Sequence, residues 1–382
     1  MKILLLGEYS RLHNSLKEGL QALGHEVVII GTGDGFKKFP VDIYLKEKYR
    51  TGTLSILKKV IYKLTNTDLT SCNIHKQFKK HEHNLKGFDV VQLINENSFY
   101  TIPSVEKKLL EFIFKNNQHV FLLSCGADVP SVEYAYQKKF KYSILDPYFE
   151  GKLAKKDFWP VLKYLSKPYQ KLHHYIYKNI KGVIASDLDY HIPLKNHNQY
   201  LGLIPNPINT KKLVFTPLNI LDKIVIFHGV NSKNYIKKGG DYFDAALKII
   251  AEKYPNKVEV IRTEDLPYNI YIEKYNRAHI ILDQVLAYDQ GYNALEAMAQ
   301  GKVVFTGAEK EWLDYYKLSE NTIAINALPN VSNLVNQMEW LIENPENILE
   351  ISKNARDFIE KEHNYINVAK TYLNVWKSHS KT

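Results

Sequence analysis

The sequence predicts an α/β protein built as two doubly wound, Rossmann-like domains facing a cleft. Three observations carry this. Unbroken apolar runs alternate with helix-like segments through the first half, a proline-marked stretch interrupts them, and the alternation then begins again. A chain of 382 residues also suits two domains better than one.

The first run, "KILLLG", reads as a buried strand. "HNSLKEGLQALG" has helical spacing and closes on Gly24, a glycine suited to a helix C-terminus. "HEVVIIG" is a second strand, followed by "DVVQLI" (89–94), "HVFLLS" (119–124) and "GVIAS" (182–186). Such runs between helices imply a parallel sheet covered on both faces. The linker is "LIPNPINTKKLVFTPLN". After it, "KIVIFHG" (223–229) opens a second series: helix "GDYFDAALKIIAEKY", strand "VEVIR", a helical segment near "YNIYIEKYNRA", strand "HIILDQ", helix "NALEAMAQ", and strands "VVFTG" and "TIAINA". Three helical stretches close the chain. The expected domains are therefore 1–208 and 209–364, with a last helix at about 365–382 packing back on the first. The carboxyl ends of such sheets are where ligands bind.

The formal net charge of +10 favours anionic partners. Only Cys72 and Cys125 are present, too few and too far apart for a disulfide framework or a zinc site, so a reducing, cytoplasmic setting is expected. The N-terminal apolar run reads as a strand, and no stretch reaches the roughly 18 apolar residues that span a bilayer. Two basic stretches interleave apolar residues with charge. "GFKKFPVDIYLKEKYRTGTLSILKKVIYKL" carries eight Lys/Arg against Asp42 and Glu47, and "KLAKKDFWPVLKYLSKPYQKLHHYIYKNIK" carries eight Lys against Asp157. Each reads either as solvated helix faces or as a surface for an anionic membrane. No nucleic-acid module is recognisable.

Two short motifs are weak. "GTGDG" (31–35) follows the second strand and lacks dinucleotide-binding spacing, so it reads as a loop. "DLD" (187–189) has no second carboxylate cluster to make a metal site with it.

Two strand–turn–helix units say more. In "YDQGYNALEAMAQGK" (288–302), Gly291, Tyr292 and Asn293 stand where a helix begins, and free N–H groups there suit a phosphate. Glu296 lies about one turn further in. It reads either as an acceptor for ligand hydroxyls or as a solvated or capping carboxylate. In "HGVNSKNYIKKGGDYF" (228–243), Lys233, Lys237 and Lys238 precede a glycine pair that opens a helix. They read either as holding a diphosphate or as a solvated charge run.

At these residues the C-terminal half resembles the donor half of GT-B glycosyltransferases, of the retaining family 4 group. That family's pattern is close to "EGFGLPLLEAMACGLPV"; this chain reads "YDQGYNALEAMAQGKVV", with Glu296 at the second Glu and Gly291 at the turn glycine. "KKGGDYFDAAL" resembles the family's lysine–glycine segment, "LIPNPIN" its linker, and "ARDFIEKEHNYINVAKTYLNVW" its closing helices. The N-terminal half matches in layout only. There are departures. Tyr288 stands at the first Glu, and Asp289, Asp283 or Gln284 would take over its contact. Ser232 and Lys233 stand where an Arg is usual. Cys125 stands at the place of the family's first-domain His.

The resemblance implies transfer of a sugar from a UDP- or GDP-linked donor to a glycan or lipid-linked acceptor. It implies surface polysaccharide synthesis, without metal or other cofactor, with retention, in the cytoplasm or on the inner face of the cell membrane. The donor would lie against Gly7, Lys233, Lys238, Arg262, Thr263, Leu266, Tyr288, Asp289, Gly291, Tyr292, Asn293 and Glu296. Cys125, Asp128, Lys238 and Glu296 are the candidate catalytic groups, and His13, Asn95 and Asn97 the candidate acceptor contacts. A core or surface role for His13 competes with that reading. Two alternatives stand beside it: a sugar-nucleotide epimerase, and a non-catalytic nucleotide- or membrane-binding assembly protein.

Overall fold

The structure is a computed structural model that describes residues 1–50, 53–65 and 67–380. The chain divides into two compact units, one of residues 1–133, 161–207 and 365–382, the other of residues 134–160 and 208–364. Both are α/β with all-parallel sheets.

The first unit has seven strands: β1 (Lys2–Leu6), β2 (Glu26–Gly31), β3 (Ile43–Tyr44), β4 (Val90–Leu93), β5 (Val120–Ser124), β6 (Val183–Ala185) and β7 (Tyr200–Leu203), in the order β3-β2-β1-β4-β5-β6-β7. Strand order reverses beside β1, whose Ile3 pairs with Val27 on one side and Val90 on the other. Ile3, Leu4, Leu5 and Leu6 are all fully buried, as expected of a central strand covered on both faces. The short edge strands β3 and β7 have no comparable apolar run to announce them. The chain's last helix, Tyr365–His379, packs on helix Leu12–Ala22 within this unit.

The second unit has β8 (Ile224–Val230), β9 (Val258–Glu264), β10 (Ile280–Leu282), β11 (Val303–Thr306) and β12 (Ile325–Asn326), in the order β12-β11-β10-β8-β9. Here the reversal falls between β8 and β10. Helices Gly240–Lys253 and Tyr292–Ala299 follow those two strands, so the two motif turns both open at the switch point, where such sheets bind ligands.

One expectation needs correcting. Residues 134–160 fall in the second unit, not in a first domain running unbroken to 208. The reason is local. Tyr142 donates to Glu309 Oε1 at 2.6 Å, the Lys141 N–H donates to the Tyr288 hydroxyl at 2.6 Å, and Lys152 pairs with Asp241 at 3.1 Å. These are long-range polar contacts that no local pattern encodes. Residues 381 and 382 of the closing segment lie outside the described residues.

Candidate functional site in the second unit

The turn after β8 leads through a short 3-10 turn, Ile236–Lys238, to Gly239. Gly239 has φ 71°, a left-handed conformation that favours glycine, and a Cβ there would sit 2.6 Å from Val285 Cβ. The Val285 N–H donates to the Lys238 carbonyl at 2.9 Å, so the turns after β8 and β10 are stitched together. Lys238 Nζ then lies 3.0 Å from Asp283 Oδ1. The carboxylate side chain is 1% exposed and the lysine 42%, which leaves the cation room to reach outward. His228, Asn231, Tyr235, Lys238 and Asp283 line a small pocket at this point.

Asp244, on the helix after Gly239, gathers three groups. His228 Nδ1 is 2.9 Å from Oδ1, the Tyr235 hydroxyl donates to Oδ2 at 2.7 Å, and Arg262 Nε reaches Oδ2 at 3.0 Å. Burial lowers the His228 pKa although Asp244 opposes it, so the ring is neutral near neutral pH. Arg262 also bridges to Glu264 at 3.0 Å. Thr263 is buried, Leu266 is 36% exposed, and Lys233 is exposed.

The second motif splits into two parts. Tyr288, Asp289 and Gln290 are buried. The Tyr288 ring packs against Phe140 and Tyr142, with centroids 5.2 and 5.4 Å away, and burial pushes its hydroxyl up to about 12. Asp289 Oδ1 accepts from the Gln290 N–H at 2.7 Å, and Gln290 Nε2 donates to the Gly307 carbonyl at 2.6 Å. Gly291, Tyr292, Asn293 and Glu296, by contrast, are partly or fully exposed. Among the described residues no side chain caps the N-terminus of helix Tyr292–Ala299, which buries Ala294, Leu295, Ala297 and Met298. Glu296 is thus the accessible carboxylate on a helix whose other face is core. Lys141 and Tyr142 both bind Glu309, which Asn326 also reaches at 3.1 Å, and this cluster holds Tyr288 in place. Asp244, Lys141 and Glu309 are what the sequence reading missed; they come together only across elements.

The first unit has its own cluster at the carboxyl ends of β1, β4 and β5. Gly7 has φ 83°, and a Cβ there would meet Ile94 Cγ2 at 2.4 Å. His13 is buried, with Nδ1 2.8 Å from the Gly7 carbonyl and, among the described residues, no hydrogen-bond partner at Nε2; burial lowers its pKa to about 3. Glu8 is 1% exposed, its Oε2 accepts from the Asn14 N–H and side chain, and burial pushes it up to about 8. Asn95 donates to the Cys125 and Ala127 carbonyls, and Asn97 to Thr101 O and Glu106 Oε2. Both therefore build the loop they stand in. Burial raises the Cys125 thiol, which keeps it protonated. Asp128 accepts from the Ser131 N–H at 2.9 Å, a helix-capping contact, and from the Ser124 hydroxyl. Asp187 of the "DLD" triplet likewise accepts from the Asp189 N–H at the start of helix Leu188–Leu194. Among the described residues no group of three or more His, Cys, Asp and Glu is placed to hold a metal.

Residues 235–374 match a family model described as glycosyl transferase-like. No curated protein matches the chain. Among solved structures, sucrose-phosphate synthase from Thermosynechococcus elongatus is similar at TM-score 0.62 and 15% identity, over 99% of each chain. HepE of Anabaena, solved with UDP and glucose, has TM-score 0.59 and 14% identity over 99% of this chain and 100% of its own. MnaA of S. aureus, solved with UDP, has TM-score 0.53 and 12% identity over 100% and 97%. At such identities the likeness is one of fold: two Rossmann-like domains in one chain, the GT-B architecture.

Proposed function

We propose that this GT-B chain, with its glycosyl transferase-like domain, is a glycosyltransferase that moves a sugar from a nucleoside diphosphate to a glycan or lipid-linked acceptor. The observation that carries the reading is the pairing of two turns at the switch point of the second unit. One presents Lys238; the other opens the N-terminus of helix Tyr292–Ala299, with Glu296 about one turn in. A cation and a helix N-terminus suit a diphosphate, and a carboxylate one turn into the helix suits ribose or sugar hydroxyls.

In transfer, the bond from the sugar carbon to the diphosphate oxygen breaks and negative charge grows on the leaving group. Lys238 and the N–H groups at Gly291–Asn293 would stabilise that charge as it develops, which is where a fixed donor contributes most to rate. The same residues need no metal to do so. HepE and MnaA were solved with UDP, which supports a uridine donor here ahead of a guanosine one. Retention, surface polysaccharide synthesis and a site on the inner face of the membrane belong to the same proposal, as does His13, Asn95 and Asn97 lying near the acceptor. Among the described residues no helix is long and apolar enough to cross a membrane.

The test is thermal unfolding of the full chain with UDP, GDP, CMP and their sugars, in wild type and Glu296→Ala. A stabilisation by one nucleotide that Glu296→Ala abolishes supports the reading. No shift with any of them removes the donor site and favours a non-catalytic assembly protein. If UDP-sugar is bound but epimerised and never transferred to a supplied acceptor, the epimerase reading replaces it.

A further inference from the structure

The two basic stretches look alike in sequence and behave oppositely in the structure. In the second, most of the apolar side chains turn inward: Phe158, Leu162, Tyr164, Leu172, Ile176 and Tyr177 are buried, and Trp159 alone of the large ones among the described residues of this stretch is mostly exposed, at 53%. Lys155, Lys156, Lys167, Lys171 and Lys178 are exposed, while Lys163 is drawn in, its Nζ 3.1 Å from Asn97 Oδ1. In the first stretch, whose residues 51 and 52 lie outside the described residues, helix Thr53–Thr65 does the reverse. Ile56 is 63% exposed, Val60 50% and Leu64 79%, and their i, i+4, i+8 spacing puts them on one stripe facing solvent. Leu54 and Tyr62 are exposed as well.

The charges around that stripe are of one sign. Lys59 and Lys63 are exposed on the same helix. Lys46 and Lys48 are exposed on the preceding loop, which is strapped to helix Leu69–His81 by Gln77 on the Lys46 backbone and by Thr70 on the Lys48 carbonyl. Helix Thr53–Thr65 packs on that same helix Leu69–His81. The nearby acids are already engaged: Asp68 with Lys58, Glu47 with Arg50, Asp42 with Lys17.

We propose that helix Thr53–Thr65 is a docking helix that lays Ile56, Val60 and Leu64 into an anionic lipid surface, with Lys59 and Lys63 against the headgroups. An aliphatic stripe on a single helix, flanked by lysines, matches a planar interface that is apolar below and negative above. A second copy of the chain is a poorer occupant, because an isologous contact would set these lysines against their own copies. This deepens the proposed lipid-linked acceptor and rests on that reading for its purpose, while its test reads lipid binding rather than transfer.

The experiment is co-sedimentation of the full chain with neutral phosphatidylcholine vesicles and with vesicles containing phosphatidylglycerol. Wild type is expected to sediment with the anionic vesicles and to be released by salt. Lys59→Glu with Lys63→Glu is expected to weaken binding about tenfold or more, as is Ile56→Ser with Val60→Ser and Leu64→Ser. All five side chains are exposed, so both variants should keep the wild-type melting temperature and nucleotide response, which separates a failed docking site from a failed donor site. No binding of wild type to anionic vesicles overturns the proposal, as does wild-type binding retained by both variants. A wild-type dimer that the serine variant dissociates, with no vesicle binding, assigns the stripe to a second copy and overturns it too.

Discussion

Lys238 Nζ stands 3.0 Å from Asp283 Oδ1, joining the turn after β8 to the turn after β10 at the point where the second sheet reverses its strand order. The carboxylate is buried and the cation is not, so the pair is a hinge point for the lysine more than a source of stability. Lys238→Met is expected to lower kcat/KM for sugar transfer by about a hundredfold or more, with little change in melting temperature. Asp283→Asn keeps the lysine and should keep nucleotide binding. Steady-state kinetics and nucleotide titration of the two variants distinguish these outcomes; equal loss in both would make the pair, not the lysine, the working unit.

Glu296 should act on binding more than on folding. It is partly exposed on a helix whose core face is made by Leu295, Ala297 and Met298. A nucleotide at about 100 times its Kd stabilises the fold by roughly 2.7 kcal/mol. Glu296→Ala is expected to keep the ligand-free melting temperature and lose that increment. A variant that melts early without ligand would mean that Glu296 holds the helix rather than the donor.

Tyr288 is a position where a carboxylate should not be accommodated. Its ring is 2% exposed among Phe140 and Tyr142, and its hydroxyl accepts the Lys141 N–H. Tyr288→Glu buries a carboxylate beside Glu309 and is expected to destabilise by about 2–4 kcal/mol. Tyr288→Phe removes one hydrogen bond and should cost about 1 kcal/mol. Urea denaturation midpoints give both figures. A Tyr288→Glu variant as stable as wild type would show that this turn can rebuild around a carboxylate.

How far the sequence foretold this can be argued from the same residues. The parallel strands were legible because Ile3–Leu6 and Val120–Leu123 are continuous apolar runs and Val90–Leu93 is broken only by Gln92, a pattern that few environments other than a doubly covered sheet accommodate. Lys238 and Glu296 were legible because each sits in a local strand–turn–helix motif. Their partners were not. Asp244 meets His228, Tyr235 and Arg262, and Glu309 meets Lys141, Tyr142 and Asn326, only after separate elements pack. The opposite fates of the two basic stretches were also hidden, because alternating Lys and Leu does not say which side faces inward.

Two buried groups beside Gly7 set opposite limits on stability with pH. Burial raises the Glu8 carboxyl from 4.5 to about 8, so across that window the folded chain holds a proton that the unfolded chain releases. Stability therefore falls as pH rises from about 4.5 to about 8. Burial lowers His13 from 6.5 to about 3, so between those values the unfolded chain holds the extra proton and stability falls as pH drops. Glu8→Gln should flatten the upper limb and raise the denaturation midpoint near pH 8 relative to wild type, with the acid limb unchanged. An upper limb of the same slope in the variant would place that titration on another group.

The last helix returns to the first unit across a contact with no space to spare. A Cβ at Gly19, on helix Leu12–Ala22, would lie 2.2 Å from the Tyr365 carbonyl oxygen and 2.8 Å from Ala369 Cβ. The obstacle is mostly backbone, which cannot swing aside as a long side chain does. On helix propensity alone, Gly→Ala would stabilise by up to about 1 kcal/mol. Overpacking opposes it at about 1–3 kcal/mol, and here the helices would have to separate. Separation would also strain the buried Trp376, whose Nε1–H donates to Gln92 Oε1 at 3.0 Å beneath the sheet residue Phe121. Gly19→Ala is therefore expected to lower the urea midpoint and to quench less protected tryptophan fluorescence sooner along the transition. A midpoint at or above that of wild type would mean that the closing helix can shift without loss, and that helix propensity outweighs the contact.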